Sequence, residues 1–443
     1  MNTQSEASSR GRDKSESEVL ERIEAVRARG PRLRDETVTL AHGAGGKASA
    51  ALVQAVFIEA FGAPNPLELC DAAVLTLPTD ESKGSRGPVQ DGSARPRGLV
   101  QAASLGPLGL AQESSAASLG PLGPTGLAQE GSAASLGPPE AACGVGAEDS
   151  LGAAGPRIAL STDSYVVKPL RFPGGSIGDL AVNGTVNDLA VSGARPLWLS
   201  AAFVVEEGLP IALLRGVVAD MRAAADRAAV TIVAGDTKVV PKGAADECFI
   251  STAGVGVVPP GRNLGAGQVR VGDAVLVSSA LGNHGMAVMM ARGDLAFEAD
   301  IRTDSAPVNH LVEALFAAVP DTRWMRDPTR GGLGTVANEL ASASGLGVML
   351  DEASLPIEPL VRGACDMLGI DPLYVASEGC FVAVVPVEAV AVAVAALRDA
   401  GATAATQIGQ IVADPPGLVA VRNAFGGVRL VDMLVGDPLP RIC

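Results

Sequence analysis

Four aspartates near the ends of predicted strands could together hold a cation. They are Asp71, Asp163, Asp188 and Asp236. Carboxylates that converge at the rim of a sheet repel one another unless a positive charge lies between them. Mg²⁺ prefers oxygen ligands and is commonly shared with the phosphates of a substrate. The four aspartates therefore predict a magnesium site, although any one of them alone is more typical of a turn or a helix cap.

Two glycine-rich stretches could bind phosphate, because glycine lets backbone N–H groups approach an anion at a helix N-terminus. They are His42-Gly43-Ala44-Gly45-Gly46-Lys47, before a predicted helix near Ser49 to Phe61, and Asp327-Pro328-Thr329-Arg330-Gly331-Gly332-Leu333-Gly334, before one that begins near Thr335. Lys47 or Arg330 could neutralise the bound anion. Neither stretch matches the P-loop or the dinucleotide-binding motif. Plain turns remain the alternative interpretation.

Two further charged residues stand close to such motifs. Lys238 follows Asp236 by two residues, and a positive charge beside a metal-binding carboxylate is usually explained by a polyanionic substrate. Glu378 lies in Ser377-Glu378-Gly379, where without other context it is most simply a turn residue. The lysine therefore adds to the indications of phosphate binding.

The chain ends on a cysteine behind two prolines, in Asp437-Pro438-Leu439-Pro440-Arg441-Ile442-Cys443. Proline favours extended backbone at ~3.1 Å per residue, so this tail could reach ~20 Å from its anchor. A thiolate is a good nucleophile and a good acyl carrier. The tail is therefore suited to carrying a group from one place to another. A frayed terminus that happens to end in cysteine is the alternative.

The composition excludes several classes of function. The 443 residues are 47% hydrophobic, which is enough for two or three domains with large cores. The net charge of −15 argues against nucleic acid or an anionic membrane as the main partner. The six cysteines form no C-x-x-C pair and the three histidines show no zinc spacing. We therefore expect a reducing cytoplasm, and the hydrophilic N-terminus predicts no signal peptide.

Alternating strands and helices must position the chemical groups. The pattern predicts strands over 157–163, 198–206, 230–233 and 248–258, and a helix over Ile211 to Ala228. The apolar run from Phe381 to Leu397 is broken by Pro386 and Glu388, so it predicts a strand followed by a helix and not a membrane span.

Domain boundaries follow from the same pattern. We expect two domains of mixed α and β structure, at 37–268 and 269–436, between a disordered tail at 1–36 and a mobile tail at 437–443.

Residues 78–155 interrupt the first of these domains. The segment Ala102-Ala103-Ser104-Leu105-Gly106-Pro107 recurs at Ala116 to Pro121 and at Ala133 to Pro138. Short repeats so rich in glycine and proline bury too little surface to offset chain entropy. We therefore expect a disordered insertion in a surface loop between two strands, which a fold tolerates because the entropy of loop closure grows only logarithmically with length.

The motifs taken in order resemble the HypE family of hydrogenase maturation proteins. The matching segments are His42 to Lys47, Ser161-Thr162-Asp163-Ser164-Tyr165, Phe172 to Gly175, Asn187 to Ala194, Gly235 to Val240, Asp327 to Gly332, Ser377-Glu378-Gly379 and Pro440-Arg441-Ile442-Cys443. The first half of this set is shared with a wider superfamily of ATP-using enzymes, which includes aminoimidazole ribonucleotide synthetase, selenophosphate synthetase and thiamine monophosphate kinase. The ending Pro-Arg-Ile-Cys is what distinguishes HypE.

The resemblance implies a fold and a reaction. The fold would be an aminoimidazole ribonucleotide synthetase-like pair of α/β and α+β domains, the first binding ATP and Mg²⁺ and pairing with a second copy as a homodimer. A HypF-type carbamoyltransferase would place a carbamoyl group on Cys443. ATP would then drive dehydration of this thiocarboxamide to a thiocyanate, with release of ADP and phosphate. The nitrile would pass to iron on a HypC–HypD complex, as the cyanide ligand of [NiFe]-hydrogenase.

The resemblance also implies roles for individual residues. Glu378 would be the general base and Lys238 would orient the carboxamide and phosphate oxygens, both acting on Cys443. The Mg²⁺ ligands would be Asp71, Asp163, Asp188 and Asp236. The nucleotide would be contacted by His42, Gly43, Gly45, Gly46, Asp163, Asp188, Thr329 and Arg330.

Two positions depart from the family pattern. Asn283 stands where many relatives carry aspartate, so no ligand role is assigned to it, and Cys380 stands where a basic residue is common and is expected to be a core thiol. Two other functions fit parts of the sequence. A small-molecule kinase or synthetase of the same superfamily would need no terminal cysteine, and an assembly scaffold would bind nucleotide only to change shape.

Overall fold

Two sheets carry the residues of interest, one in each half of the chain. The computed structural model describes residues 47, 51, 73–76, 156–293 and 299–434. In this part of the chain no helix is both long and apolar enough to span a membrane.

The first sheet has five strands. They are β1 Ala73–Thr76, β2 Arg157–Tyr165, β5 Arg195–Glu206, β6 Thr231–Val240 and β7 Cys248–Val258. Their order in space is β1-β2-β7-β5-β6. Neighbours are antiparallel except for β5 and β6, which run parallel and are joined by helix α2 Ile211–Ala228. The predicted helix at 211–228 and the predicted strand at 248–258 are confirmed.

The low-complexity segment connects two strands that lie side by side. β1 pairs antiparallel with β2, and the register places Thr76 opposite Arg157. The chain therefore leaves the sheet at Thr76 and re-enters it at the neighbouring position. The interpretation of residues 78–155 as an insertion between two strands agrees with this pairing, while the segment itself lies outside the described residues.

Helix α1, Ile177–Val191, is buried on nearly all sides. A ribbon formed by β3 Arg171–Phe172 and β4 Gly175–Ser176 leads into it. Ser176 caps the helix by accepting from Gly178 N, and Asp179 completes a capping box. Small residues allow close packing: a Cβ at Gly178 would lie 2.1 Å from Val217 O in α2. A helix with no exposed face belongs in a core, and α1 packs between the first sheet and the second domain.

The second sheet has seven strands with helices on both faces. The strands are β8 Ala274–Val277, β9 Trp324–Arg326, β10 Gly347–Asp351, β11 Val382–Val385, β12 Thr406–Val412, β13 Val419–Arg422 and β14 Val428–Val431. Their order is β14-β13-β10-β12-β8-β11-β9, and only β10 and β13 are parallel neighbours. The helices are α3 Asn283–Ala291, α4 Asn309–Ala318, α5 Gly332–Ser344, α6 Pro359–Leu368 and α7 Val390–Asp399.

The apolar run at 381–397 forms β11 and then α7, as predicted. Val382 and Val384 pack on the face of the sheet that α5 covers, whereas Phe381 and Ala383 face α4 and α7. A strand buried on both faces reads as a continuous apolar run, which explains the absence of alternation here.

Candidate active site

Strand β2 and helix α1 bring Asp163 and Asp188 to one side of the first sheet. Alternate strand residues face the same side, so Ser161, Asp163 and Tyr165 all face α1. Ser161 Oγ donates to Asp188 Oδ2 at 2.7 Å, and Thr185 Oγ1 donates to Asp163 Oδ2 at 2.6 Å. Residues 185 and 188 are three apart on α1 and share a face of the helix. Two predicted ligands are therefore gathered at one place.

The expectation that the aspartates stand at strand ends is wrong for the three that the structure describes. Asp188 belongs to α1, and Asp163 and Asp236 lie inside β2 and β6. Both strands continue past their aspartate because the residues that follow it are still paired, those of β2 with β7 and those of β6 with β5. Asp163 and Asp236 thus project from the faces of the sheet and not from its rim.

Asp236 and Lys238 lie on the opposite face of the first sheet from Asp163. Across the sheet, Asp163 in β2 lies opposite Thr252 in β7, which lies opposite Ala201 in β5, which in turn lies opposite Gly235 in β6. Successive side chains of a strand point to opposite faces, so Asp236, one residue after Gly235, points to the face opposite Asp163. Three strand spacings, roughly 14 Å, also separate β6 from β2. A single chain therefore does not bring Asp236 and Asp163 to one cation.

The outer pair is an exposed ion pair. Lys238 Nζ lies 2.9 Å from Asp236 Oδ2, and the two side chains are 70% and 62% exposed. Within residues 156–293 and 299–434, no three histidine, cysteine or acidic side chains are grouped as metal ligands. Two carboxylates together with substrate phosphates are, however, a common way to hold Mg²⁺. Asp163 and Asp188 fit this kind of site, whereas four aspartates from one chain do not.

Among the predicted site residues that the structure describes, Glu378 is the most deeply buried acidic one, with 3% of its surface exposed. Burial raises its pKa well above the ordinary value, the negative charges of Asp327, Asp304 and Asp163 raise it further, and Arg330 lowers it. The carboxyl group is therefore influenced by charges from both domains, Asp163 of the first and Arg330 of the second. A buried carboxyl group with a raised pKa is a candidate for proton transfer.

The loop of Glu378 is held by backbone contacts to neighbouring loops. Ser377 N donates to Pro328 O at 2.9 Å, and Ser377 Oγ accepts from Gly282 N at 2.9 Å. Glu378 lies in a loop, as a turn residue would: the loop follows a 3-10 turn over Pro372–Tyr374, and β11 begins only at Val382.

The second glycine-rich stretch forms a turn at the start of α5. The helix begins at Gly332, three residues before the predicted start, because Thr335 N already donates to Gly331 O at 3.1 Å. Gly331 and Gly332 have φ values of 75° and 57°, and a Cβ on Gly332 would lie 2.6 Å from Leu373 O. Glycine is therefore required there. Arg330 is exposed on this turn, and its charge lowers the pKa of Glu378.

Three cysteines in the described part of the chain are buried and unreactive. Burial raises the pKa of Cys248 and Cys365 to about 11 and that of Cys380 to about 12. Cys380 is fully buried, as expected of a core thiol. A buried neutral thiol is a poor nucleophile.

Several predicted residues lie outside the described part of the chain and stay predictions: His42, Gly43, Gly45, Gly46, Asp71 and Cys443. Their nearest described neighbours meet one another. Lys47 N donates to Leu434 O at 3.0 Å, and Lys47 Nζ donates to Asp432 Oδ2 at 3.1 Å. The end of the first glycine-rich stretch and the root of the C-terminal tail are therefore adjacent.

Sequence reasoning missed three residues of this region. Asp327 is buried and Asp304 half-buried, and the negative charges of both raise the pKa of Glu378. Tyr165 is a buried phenol whose pKa is raised by burial and by Asp163, Glu378 and Asp188. Asp304 stands in a loop with no periodic pattern around it, so its sequence context carried no signal. Asp327 was included only as the first residue of a glycine-rich stretch.

The two halves of the chain match two known domain families. Residues 148–258 match the N-terminal domain of AIR synthase related proteins, and residues 270–421 match the C-terminal domain of the same family.

Individual relatives cover most of both domains. The carbamoyl dehydratase HypE of Rhodobacter capsulatus is 54% identical over 298 residues, which are 67% of this chain and 87% of the relative. A crystal structure of the hydrogenase maturation protein HypE in complex with ATP is 44% identical with a TM-score of 0.62, covering 68% of this chain and 90% of that one. A crystal structure of a HypE–HypF complex is 45% identical with a TM-score of 0.61, covering 62% and 90%.

Proposed function

This chain belongs to the HypE family of AIR synthase related proteins, and we propose that it uses ATP to dehydrate a carbamoyl group on Cys443 to a thiocyanate. The observation that carries the proposal is the buried Glu378, whose carboxyl group feels the charges of Asp163 in β2 and of Arg330 in the turn before α5. A base, a pair of Mg²⁺ ligands and a phosphate-binding turn are the groups that this reaction needs.

The reaction activates a poor leaving group. The carboxamide oxygen on Cys443 attacks the γ-phosphorus of ATP, so an O–P bond forms, the bond to the β-phosphate breaks and ADP leaves. One N–H proton is lost from the carbamoyl nitrogen as the C=N bond forms. The C–O bond then breaks, phosphate leaves with its electron pair, and loss of the second N–H proton gives the C≡N group. The net change is the loss of one water from the carbamoyl group and the hydrolysis of ATP to ADP and phosphate.

Glu378 is the proposed acceptor of these protons. Its ionised form is unfavourable because it is buried beside three other carboxylates, so an ionised Glu378 binds a proton strongly. The N–H group of a thiocarboxamide is a weak acid, and a stronger base in reach of it speeds its removal. The side chain is also screened from water, which limits competing hydrolysis.

Residues from both domains would hold the nucleotide. Asp163 and Asp188 would bind Mg²⁺, which supplies positive charge to the phosphates of ATP when it is bound. Arg330 and Thr329 would lie near the γ-phosphate, where the N-terminus of α5 adds a favourable dipole. His42, Gly43, Gly45 and Gly46 would cover the nucleotide. The ATP complex of a HypE at 44% identity supports nucleotide binding.

The tail is long enough to bring Cys443 to Glu378. Tyr374 Oη donates to Asp432 O at 2.7 Å, and Tyr374 precedes Glu378 by only four residues, at most ~14 Å of backbone. The eleven residues from Asp432 to Cys443 can span ~36 Å when extended. The length of the chain therefore permits delivery of the thiol to the buried base.

Lys238 and Asp236 require a second copy of the chain under this proposal. Leu160 and Trp198 are 49% and 52% exposed on the same outer face of the first sheet, and Val255 pairs with both of them. An exposed apolar row of this kind marks an interface. We propose that a homodimer forms there, which places Lys238 against the second copy, where it would orient the carboxamide and phosphate oxygens.

The remaining partners follow from the chemistry. A HypF-type carbamoyltransferase would load Cys443, which the HypE–HypF complex at 45% identity supports. A HypC–HypD complex would take the nitrile to iron. We place the reaction in the cytoplasm, where a carrier thiol stays reduced.

The test is the intact mass of the protein with ATP and a carbamoyl donor system. The expected result is a carbamoyl gain on Cys443 that then falls by one water when ATP is added. A Cys443→Ala variant should show neither change. A kinase of the same superfamily would keep full turnover in that variant, and this outcome would exclude the proposal.

A further inference from the structure

One peptide unit beside the proposed base is held at both of its ends. The carbonyl of Glu378 accepts from Asn187 Nδ2 at 3.0 Å, and the N–H of Gly379 donates to Asp304 Oδ2 at 3.0 Å. The N–H of Glu378 also donates to Asp304 Oδ2, at 3.2 Å. The backbone on either side of the Glu378 side chain is therefore fixed by two side chains from other parts of the chain.

Asn187 connects this peptide to α1. The residue is fully buried, and it makes two further hydrogen bonds: Nδ2 donates to Ala306 O at 3.0 Å and Oδ1 accepts from Val308 N at 2.8 Å. It follows that one amide side chain ties three segments together. Because Asn187 precedes Asp188 in the chain, the same helical turn that holds a predicted Mg²⁺ ligand also holds the backbone of Glu378.

Asp304 approaches the peptide from the other side, and the contact requires glycine at 379. A Cβ on Gly379 would lie 1.8 Å from Asp304 O, which is far inside van der Waals contact. Asp304 itself is half-buried, but Glu378 and Gly379 are buried, so leaving their N–H groups unpaired would cost the desolvation of those groups. This contact is therefore close and specific, and not an incidental turn.

Glu378 has no regular secondary structure to hold it. A general base must lie within hydrogen-bond reach of the proton that it removes, and a misplacement of about 1 Å can lower a rate by about 10²-fold. A loop residue achieves that precision only when its backbone is restrained from outside the loop. Asp304 and Asn187 supply such restraints.

We propose that Asp304 and Asn187 are positioning residues for Glu378, which hold the Glu378–Gly379 peptide from opposite sides. This proposal rests on the proposed role of Glu378 in the dehydration. Four charged groups face the Glu378 side chain: Asp327, Asp304, Asp163 and Arg330. Asp304 is thus both a restraint on the backbone and one of the negative charges that make Glu378 a stronger base.

The experiment compares variants that separate these two effects. Asp304→Ala removes the restraint and the charge, and kcat should fall by ~10- to 100-fold while the KM for ATP stays within about threefold. Asp304→Asn keeps an oxygen that can accept from both N–H groups, so it should recover most of kcat. Because it removes a negative charge beside Glu378, it should also move the acidic limb of the pH–rate profile to lower pH.

Asn187→Ala tests the other side of the peptide. It should lower kcat as Asp304→Ala does but leave the acidic limb in place, because no charge is lost. Adding Asp304→Ala to a Glu378→Gln variant should cause no further loss, because a positioning residue acts only through the group that it positions. Asp273→Asn is the matched control: Asp273 is buried and accepts from Arg270 N at 2.8 Å at the far end of β8, so its loss should lower stability without changing the profile.

The outcomes separate this proposal from the proposed function. If the unmodified protein forms no thiocyanate, the proposed function fails. If it does, three results would overturn the present inference: unchanged kcat in Asp304→Ala and Asn187→Ala, a further loss in the double variant with Glu378→Gln, or failure of all three single variants to fold, which would make these residues folding elements only.

Discussion

Charged residues on the two faces of the first sheet lie in different environments. On the inner face, Asp163 is held by a hydroxyl of α1 at 2.6 Å and faces the buried Glu378. On the outer face, Asp236 and Lys238 form an ion pair in water. Burial raises the pKa of Glu378, whereas solvent screens the charges of the outer pair. The inner face can act within one chain, and the outer pair needs another molecule to cover it.

To test this difference, the variant with the largest expected effect replaces Glu378, at the centre of the inner face. Glu378→Gln keeps the shape of the side chain but cannot take a proton, so thiocyanate formation should fall by ~10²- to 10⁴-fold. ATP binding should persist, as measured by titration calorimetry. Glu388→Gln, at an exposed glutamate, is the control and should have no effect. Equal rates in the two variants would remove Glu378 as the base.

The outer pair should matter only through a second copy of the chain. Trp198→Glu places a charge in the exposed apolar row and should give a monomer in sedimentation. Lys238→Ala should lower kcat by ~10- to 100-fold if the lysine orients oxygens in the reaction. The same variant made in the Trp198→Glu background should cause no further loss. If the monomer keeps full activity and Lys238→Ala still impairs it, the lysine acts within its own chain and the proposed arrangement of the outer face is wrong.

A smaller effect is expected on the pH dependence of folding stability, and it comes from Asp304. Burial raises its pKa to about 6, so the folded protein binds this proton more tightly than the unfolded chain does. Protonated Asp304 therefore stabilises the fold at pH values below the pKa that this residue has in the unfolded chain. This stabilisation is lost as the pH rises to about 6. A shift of about two units corresponds to about 3 kcal/mol.

Denaturant unfolding at several pH values tests this sign. The free energy of unfolding of Asp304→Asn, relative to the unmodified protein, should increase between pH values of about 4 and about 7. Asp273→Asn provides a comparison outside the inner-face cluster. A relative free energy that falls over this range would contradict the assigned direction.

The smallest effect is expected far from both faces. Because Thr76 and Arg157 are paired neighbours in the sheet, a two-residue hairpin turn such as Asn-Gly can replace residues 78–155. Both the thermal midpoint and the rate of thiocyanate formation should stay close to those of the full chain. Loss of soluble protein would show that the insertion has a structural role.

Much of the scaffold could be predicted from local pattern. Helix α2 has one apolar face and one exposed face, so its bounds follow from periodicity. Helix α1 has no exposed face, since it is buried between the first sheet and the second domain. Its sequence therefore lacks the separation of apolar and exposed positions that marks a surface helix. For this reason the sequence pattern placed Asp188 near the end of a strand and not in a helix.

The candidate site could be predicted only in part, because here too the local sequence pattern does not show which side chains meet the core. Strand alternation tells which residues of β6 share a face, but most residues of β6 are exposed, and no apolar pattern shows which face meets the core. Asp236 and Lys238 were therefore grouped with Asp163 by motif order and not by geometry. Asp304 depends on a contact between residues more than 70 positions apart, which local sequence cannot indicate.

The most direct test of the central claim follows the oxygen of the carbamoyl group. The protein is loaded on Cys443 with a carbamoyl group that carries ¹⁸O, ATP is added, and the inorganic phosphate is analysed by mass spectrometry. If phosphate activates the carboxamide oxygen, the label appears in phosphate in step with formation of the thiocyanate, and Glu378→Gln abolishes both. Thiocyanate formed with the label in water, and none in phosphate, would contradict the account.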